Sequence, residues 1–400
     1  MVPLRIAILG TRGVPPHYGG FETFTAELGT RLVSRGHHVT VYCRRVATGP
    51  PAGRVPAEGL APTRWKGIDR IVLPAIPHKY FETVSHAVLS AIDAMRRDFD
   101  VVLVCNAANA FVLPLLRAAR IPVAINVDGI ERLRRKWNLF GRAVYSAGES
   151  LSVILADRVV ADAEVIAAYY RDHFAVEATV IPYGSDFPDE ADTDILQRLR
   201  IASRNYILYV SRFEPENNPL EVVEAYEKLA VSRLPLSGNA MNGQRPTANA
   251  IPPLLMVGEG LYAKDLVAAL QRHSSERVRF PGAIYGADYR TLQRNALIYV
   301  QATEVGGTHP AMIEAMGSGG LVLAHDTPEN REVGGDAVRY FELRPVETLS
   351  GTLRECLGAL AERDELRRKG RERARSRYRW DEVTEAYERL FAELVSGVGR

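Results

Sequence analysis

Residues 296–302 (ALIYVQA) have the length and composition of a buried parallel strand, and the stretch that follows, 303–320 (TEVGGTHPAMIEAMGSGG), permits few continuations. Gly306 and Gly307 allow tight backbone geometry that residues with side chains resist. Thr308 or His309 can cap a helix, and Pro310 suits its first turn because the missing N–H would be unpaired there anyway. Gly317, Gly319 and Gly320 then stop that helix. Within it, about a turn from its start and among apolar neighbours, stands one carboxylate, Glu314. A strand, a glycine turn and a helix N-terminus turn N–H groups and the positive end of a dipole toward an anion. Glu314 then reaches hydroxyls of the same ligand, and the combination suggests a nucleotide sugar. A plain βα turn with one stray glutamate is the alternative, and the rest of the chain has to decide between them.

Four hundred residues exceed one ordinary core and suit two α/β domains. With 46% apolar and 24% charged residues the composition is that of a soluble globular protein, and a net charge of +2 calls for no nucleic-acid partner. No apolar run reaches the roughly 18 residues of a transmembrane helix. The opening MVPLRIAILG reads as a first strand, not as a signal peptide. Cys43, Cys105 and Cys356 are far apart and without metal spacing, so they read as reduced, packed thiols of a cytoplasmic protein.

From the N-terminus, the strand at 4–9 runs into GTRGVPPHYGGFETF, a long glycine- and proline-rich loop containing Gly13, Tyr18, Gly19 and Gly20. A helix over 22–34 with Phe24, Leu28 and Leu32 on one face follows, then a strand over 39–43. This βαβ opening also fits a nicotinamide dehydrogenase. Against that, the loop is not G-x-G-x-x-G, and the second strand ends in Arg44 and Arg45 where an acidic residue would hold a ribose. Residues 50–66 read as a surface loop. Further on, strands over 101–105 and 123–127 end at Asn106 and Asp128, and ligand-facing residues in open α/β sheets sit at such carboxyl ends. Asp128 is therefore a candidate catalytic carboxylate, or else a turn cap. Residues 131–156 mix arginines with Trp137, Leu139 and Phe140; they fit an anionic membrane surface, although a solvated helix face explains most of them.

Polar, turn-rich residues 185–203 read as a linker between an N-terminal domain (1–184) and a C-terminal one (204–378), with a final helix over 379–400. The second domain opens with a strand over 206–210 and then SRFEPENN. There Arg212, just past the strand end, can clamp a phosphate through two parallel hydrogen bonds. Residues 234–253 are expected to form an insertion loop.

Together these segments resemble the GT-B glycosyltransferases, specifically the retaining family 4, over essentially the whole chain. GTRGVPPHYGGFETF is the most specific part and looks like a bacterial rhamnosyltransferase-like branch, which SRFEPENN and GGTHPAMIEAMGSG also match. The resemblance implies two Rossmann-like domains facing across a cleft, with the donor held mainly by the second and the last helix crossing back to the first. Gly13, Tyr18, Gly19, Gly20 and Asn106 would then lie on the acceptor side. Arg212, Asn217, Gly306, Gly307, Thr308 and Glu314 would bind the donor. The chain departs from the family at three places. Of the family's two signature glutamates the second matches Glu314, but the first falls on Gly306, with Glu304 two residues upstream. Its phosphate-binding lysine falls on Asn217, and its N-domain histidine corresponds to Asp128. Fewer anchors are consistent with a deoxysugar donor such as dTDP-rhamnose, beside a UDP-sugar.

Transfer from a nucleotide diphosphate requires stabilisation of the departing phosphate, by a metal or by arginine and helix N-termini. The D-x-D runs, Asp98 with Asp100 and Asp192 with Asp194, are not placed for a bridging metal. The expectation is transfer without metal or other cofactor, with Arg212 and the N–H groups around Gly307 and Thr308 on the diphosphate. No pair of carboxylates is placed for double displacement, so retention implies front-face attack. The resemblance implies a saccharide or lipid-linked saccharide acceptor in bacterial polysaccharide biosynthesis. The competing readings are a sugar-nucleotide epimerase of the same fold and a non-catalytic nucleotide-sugar-binding subunit.

Overall fold

In a computed structural model the described residues are 2–397, apart from 17–18, 46–62, 77–80, 136, 189–191, 232–250, 261–262 and 359. The chain divides into two compact units. The first comprises Met1–Gly184, Gly306–Thr308 and Tyr378–Arg400; the second comprises Ser185–Val305 and His309–Arg377.

The strands of the first unit are β1 (Arg5–Leu9), β2 (His38–Arg45), β3 (Thr63–Trp65), β4 (Ile68–Pro74), β5 (Val101–Cys105), β6 (Val123–Asn126), β7 (Arg158–Ala161) and β8 (Thr179–Val180). They form one sheet in the order β3-β4-β2-β1-β5-β6-β7-β8. Helices cover both faces, so the strands are apolar on both sides: Ile6 and Ile8 of β1 enter one core, Ala7 and Leu9 the other. The sheet is parallel except at β3, which pairs antiparallel with β4 through Lys66 and Gly67, both at positive φ. The expected surface loop over 50–66 is thus wrong at its end. A three-residue strand is too short to show a period, and only the Lys-Gly turn signalled it. The rest of that loop lies outside the described residues, as does the expected insertion loop except for 251–253.

The helix Trp380–Gly397 belongs to the first unit and turns Trp380, Val383, Tyr387, Leu390, Phe391 and Leu394 into its core. Their spacing of three and four residues places them on one helical face. Gly184 lets Trp380 approach, since a Cβ there would stand 2.6 Å from the indole. Midway along the same helix Glu388 accepts hydrogen bonds from Arg35 (2.7 Å) and from the buried His37 (2.9 Å), whose Nδ1 in turn accepts the Leu4 amide.

The second unit holds a six-stranded parallel sheet of β9 (Ile207–Val210), β10 (Leu254–Val257), β11 (Val278–Gly282), β12 (Ile298–Gln301), β13 (Leu321–His325) and β14 (Arg339–Phe341). Its order is β11-β10-β9-β12-β13-β14. The chain therefore builds outward from β9 in one direction and from β12 in the other. Each unit is a Rossmann-like sheet with one reversal of strand order, at β1/β5 in the first and at β9/β12 in the second. Loops leaving the carboxyl ends of such strands diverge to opposite faces and leave room for a ligand.

Candidate functional site

In the first unit the β1 and β5 loops are held close together. Gly10 takes φ +95°, and a Cβ on it would come within 2.3 Å of the Cys105 carbonyl oxygen. Gly13, at φ +106°, lies against Cys43. Gly19 is the extended residue before the helix Gly20–Ser34, and Gly20 faces open space. The buried Glu22 carboxylate accepts the Arg12 amide (3.0 Å) and so ties the loop to that helix. Tyr18 lies outside the described residues. Asn106, at φ +73°, uses its side-chain oxygen to accept the Ala108 amide (2.9 Å), so it caps the turn after β5.

Asp128 follows β6 in a left-handed conformation, φ +55°, and its amide donates to Asn126 Oδ1 (3.0 Å). The Tyr183 hydroxyl donates to Asp128 Oδ1 (3.4 Å), and Asn126 Nδ2 donates to the Tyr387 hydroxyl (2.8 Å). One strand over, Asp162 follows β7 and is 1% exposed. Its Oδ2 accepts the Thr308 amide (2.7 Å), and the Thr308 hydroxyl donates to the Asp162 carbonyl. Burial, and after it the neighbouring charge of Asp128, push the Asp162 carboxyl well above the usual range, although the Thr308 amide pulls the other way.

These contacts revise the reading of the glycine turn. Gly306 and Gly307 are not at positive φ. What requires a glycine at 307 is approach: a Cβ there would lie 1.9 Å from Asp162 Oδ1. A Cβ on Gly129 would likewise stand 2.8 Å from the Gly306 Cα. Thr308 does not cap the helix, because its side chain is spent on Asp162, and its amide is taken by Asp162 Oδ2 instead of facing a diphosphate. His309 is the N-cap residue without a side-chain cap bond, and Pro310 opens the helix Pro310–Gly317 as expected.

In the second unit Arg212 follows β9, half-buried, with Glu214 3.8 Å away. Asn217, 4% exposed, sits where the resemblance places a lysine. Its Nδ2 donates to the Arg212 carbonyl (2.7 Å), and its own carbonyl accepts the Tyr209 hydroxyl (2.7 Å). A buried amide must satisfy its own donors, and one of the two Nδ2 hydrogens of Asn217 braces the Arg212 loop. The Glu304 amide donates to the Glu216 carbonyl (2.9 Å), tying the β12 loop to the β9 loop at the reversal of strand order. Glu314 is half-buried, and its Oε2 accepts the Tyr289 hydroxyl (2.5 Å), which accepts from Gln293 Nε2 (2.7 Å). Burial and then the Glu314 charge raise the Tyr289 pKa, so the phenol stays a donor.

The D-x-D carboxylates are counter-ions. Asp98 and Asp100 flank Arg5, Asp192 meets Arg294 (3.0 Å) and Asp194 meets Arg198 (3.1 Å). Among the described residues no group of three or more His, Cys, Asp or Glu could hold a metal ion. The three cysteines are free and buried.

Sequence reasoning missed Asp162, Tyr289 and the brace at Glu22. Asp162 was legible in principle, since it stands directly after the apolar run of β7 as Asp128 does after β6. Tyr289 was not, because it comes from a different helix, Gly286–Asn295.

Two family profiles cover most of the chain: Glycosyltransferase Family 4 over residues 18–187 and Glycosyl transferases group 1 over residues 192–377. A search of curated proteins gave no match. Among solved structures, sucrose-phosphate synthase from Thermosynechococcus elongatus is 18% identical, covering 98% of this chain and 100% of that one, with TM-score 0.80. Anabaena HepE in complex with UDP-glucose is 15% identical over 98% and 100%, with TM-score 0.73. An α,α-trehalose-phosphate synthase (UDP-forming) from Burkholderia vietnamiensis is 10% identical over 100% and 99%, with TM-score 0.73.

Proposed function

This chain is a glycosyltransferase of GT-B type, joining a Family 4 domain to a group 1 domain, and we propose that it moves a sugar from a nucleoside diphosphate to a saccharide or lipid-linked saccharide with retention. The observation that carries the donor side is the second unit's switch point. The Arg212 loop leaves β9 there, and the helix Pro310–Gly317 with Glu314 leaves β12. Arg212 and the helix dipole stabilise the departing diphosphate, and Glu314 takes hydroxyls of the nucleoside. Asp128, in the unit read as acceptor-side, accepts the proton of the attacking hydroxyl. The solved relative bound to UDP-glucose supports a nucleotide-sugar donor. A rhamnosyl donor, and a place in bacterial polysaccharide assembly, rest on the branch resemblance of the N-terminal loop.

A panel of labelled UDP- and dTDP-sugars, incubated with and without acceptor, tests the reading. Nucleotide release that rises with acceptor and persists in EDTA is expected. Activity that EDTA abolishes and magnesium or manganese restores sinks the metal-free mechanism. Binding without release leaves a non-catalytic sugar-nucleotide binder, and conversion of the sugar within the donor marks an epimerase.

The lipid-linked acceptor class is supported by residues 131–156. Both of its carboxylates are buried and paired, Glu131 with Arg134 (2.5 Å) and Glu149 with Arg132 (3.1 Å). Exposed Arg135 and Arg142 stand beside Leu133, Leu139 (83% exposed) and Phe140 (67%). Arg132, Leu133, Arg142, Ala143 and Ser146 line a cavity of about 340 Å³. Cationic groups interleaved with apolar side chains suit an anionic bilayer surface. Among the described residues no helix is long and apolar enough to cross a membrane. A peripheral contact at the cytoplasmic face is the reading that follows. The protein is expected to float with phosphatidylglycerol vesicles and not with phosphatidylcholine ones. Absence from both fractions leaves this face solvated.

A further inference from the structure

Buried acids collect behind Asp128. Asp162, the Cys105 thiol at the end of β5, and the hydroxyls of Tyr183 and Tyr387 surround it, contributed by separate elements of the first unit. β6 and β7 pair with Asn126 opposite Val160, and the Val127 amide donates to the Val160 carbonyl, so Asp128 and Asp162 leave the two strands as neighbours. Asp162 Oδ2 is occupied by the Thr308 amide, whereas its Oδ1 is buried with no donor to accept from. An ionised carboxylate is not left in that state in a dry interior, and two carboxylates in contact cannot both ionise. A proton on Asp162 resolves both problems, because the orphaned acceptor becomes a hydroxyl and the contact between two anions becomes a hydrogen bond. The pair then shares one proton and one negative charge between its members.

We propose that Asp162 is a positioning residue for Asp128: it keeps a proton and donates it to the Asp128 carboxylate, which is thereby fixed in orientation and left as the single anion of the site. The role rests on the reading that Asp128 meets the acceptor hydroxyl. Its chemistry is a hydrogen bond and not a transfer, and the proton taken from the acceptor stays on Asp128 until it leaves to solvent. The groups facing the pair are the Thr308 amide, the Asp162 amide, the Tyr183 and Tyr387 hydroxyls and the Cys105 thiol, with Glu22 beyond the thiol. Burial favours the neutral form of Asp162, of both tyrosines and of the Cys105 thiol. Asp128 is therefore the member of the cluster through which charge is expressed.

Asparagine reproduces the protonated carboxyl: its oxygen accepts the Thr308 amide and its nitrogen donates to Asp128. Two independent measurements follow. The first is thermal melting of the wild type and Asp162→Asn across pH 5 to 8. A carboxyl whose folded pKa is raised contributes stability that is complete below its unfolded pKa and is lost as pH rises toward the folded one. Wild type should therefore lose ground to Asp162→Asn as pH rises, the variant melting higher at pH 8 with a margin that shrinks toward pH 5. A variant that melts lower than wild type at pH 8 overturns the proton on Asp162. The second is nucleotide release from UDP-glucose and dTDP-rhamnose, with acceptor, as a kcat and KM pair. Asp162→Asn should keep kcat within a few-fold, and Asp162→Ala should lower it more than tenfold with donor KM little changed. Equal losses in the two variants overturn the positioning role. An active Asp128→Asn overturns the acceptor-side reading and the positioning role with it, whereas the melting comparison decides the shared proton on its own.

Discussion

Asp128→Asn is expected to lower turnover by about 10²–10⁴-fold, the range that a positioned general base contributes, while UDP affinity stays unchanged. The substitution is clean for a structural reason. Asp128 sits at φ +55°, a left-handed conformation that asparagine tolerates as well as aspartate does. The amide oxygen can still accept the Tyr183 hydroxyl that reaches Oδ1 in the wild type. What is removed is basicity, together with the second carboxylate oxygen, which accepts from Asp162 in the wild type. Initial rates of acceptor-dependent nucleotide release, set beside titration calorimetry with UDP, provide the measurement. A variant that melts early yet keeps its specific activity would show that Asp128 is only the cap of the turn after β6.

Glu314→Gln is expected to weaken UDP binding about tenfold or more, with little loss of folding stability. A carboxylate inside an apolar helix is unfavourable unless something satisfies it, and the Tyr289 hydroxyl does so for Oε2. That bond survives the substitution, since a glutamine oxygen accepts the same phenol, and for this reason the fold should tolerate it. Charge-assisted bonds to ribose hydroxyls do not survive at full strength, and each contributes roughly 1.5–3 kcal/mol. A deoxyribose lacks one of the two hydroxyls, so dTDP should lose about half as much binding free energy as UDP. Calorimetry with both nucleotides reads the difference. Equal affinities for wild type and variant would make the Tyr289 bond the whole reason for Glu314, and the donor assignment would have to be withdrawn.

The alternation of apolar strands with amphipathic helices announced two parallel sheets. Period and run length are local properties, and β1, β2, β5, β9 and β12 carry them openly. Strand-end positions are legible for the same reason, as Arg212 and Asp128 show, whereas Glu314 stands out as the one carboxylate in an apolar helix. The helix start at Pro310 was read from chemistry confined to a few consecutive residues.

Contacts between distant segments decided the rest. No pattern in VVADAEV shows that Asp162 meets a turn 146 residues away and takes the Thr308 amide. The sequence offered torsional freedom as the reason for the two glycines, whereas the fold shows a carboxylate at 1.9 Å from the missing Cβ of Gly307. Nothing around Asn217 in the chain shows that its amide holds the Arg212 carbonyl. The sequence by itself determined which elements form and where the chemistry-bearing side chains leave them, because backbone propensity and periodicity act over a few residues. Which of those side chains are spent on one another was decided only by tertiary packing, since hydrogen bonds and the protonation of buried groups depend on neighbours that the chain order keeps far apart.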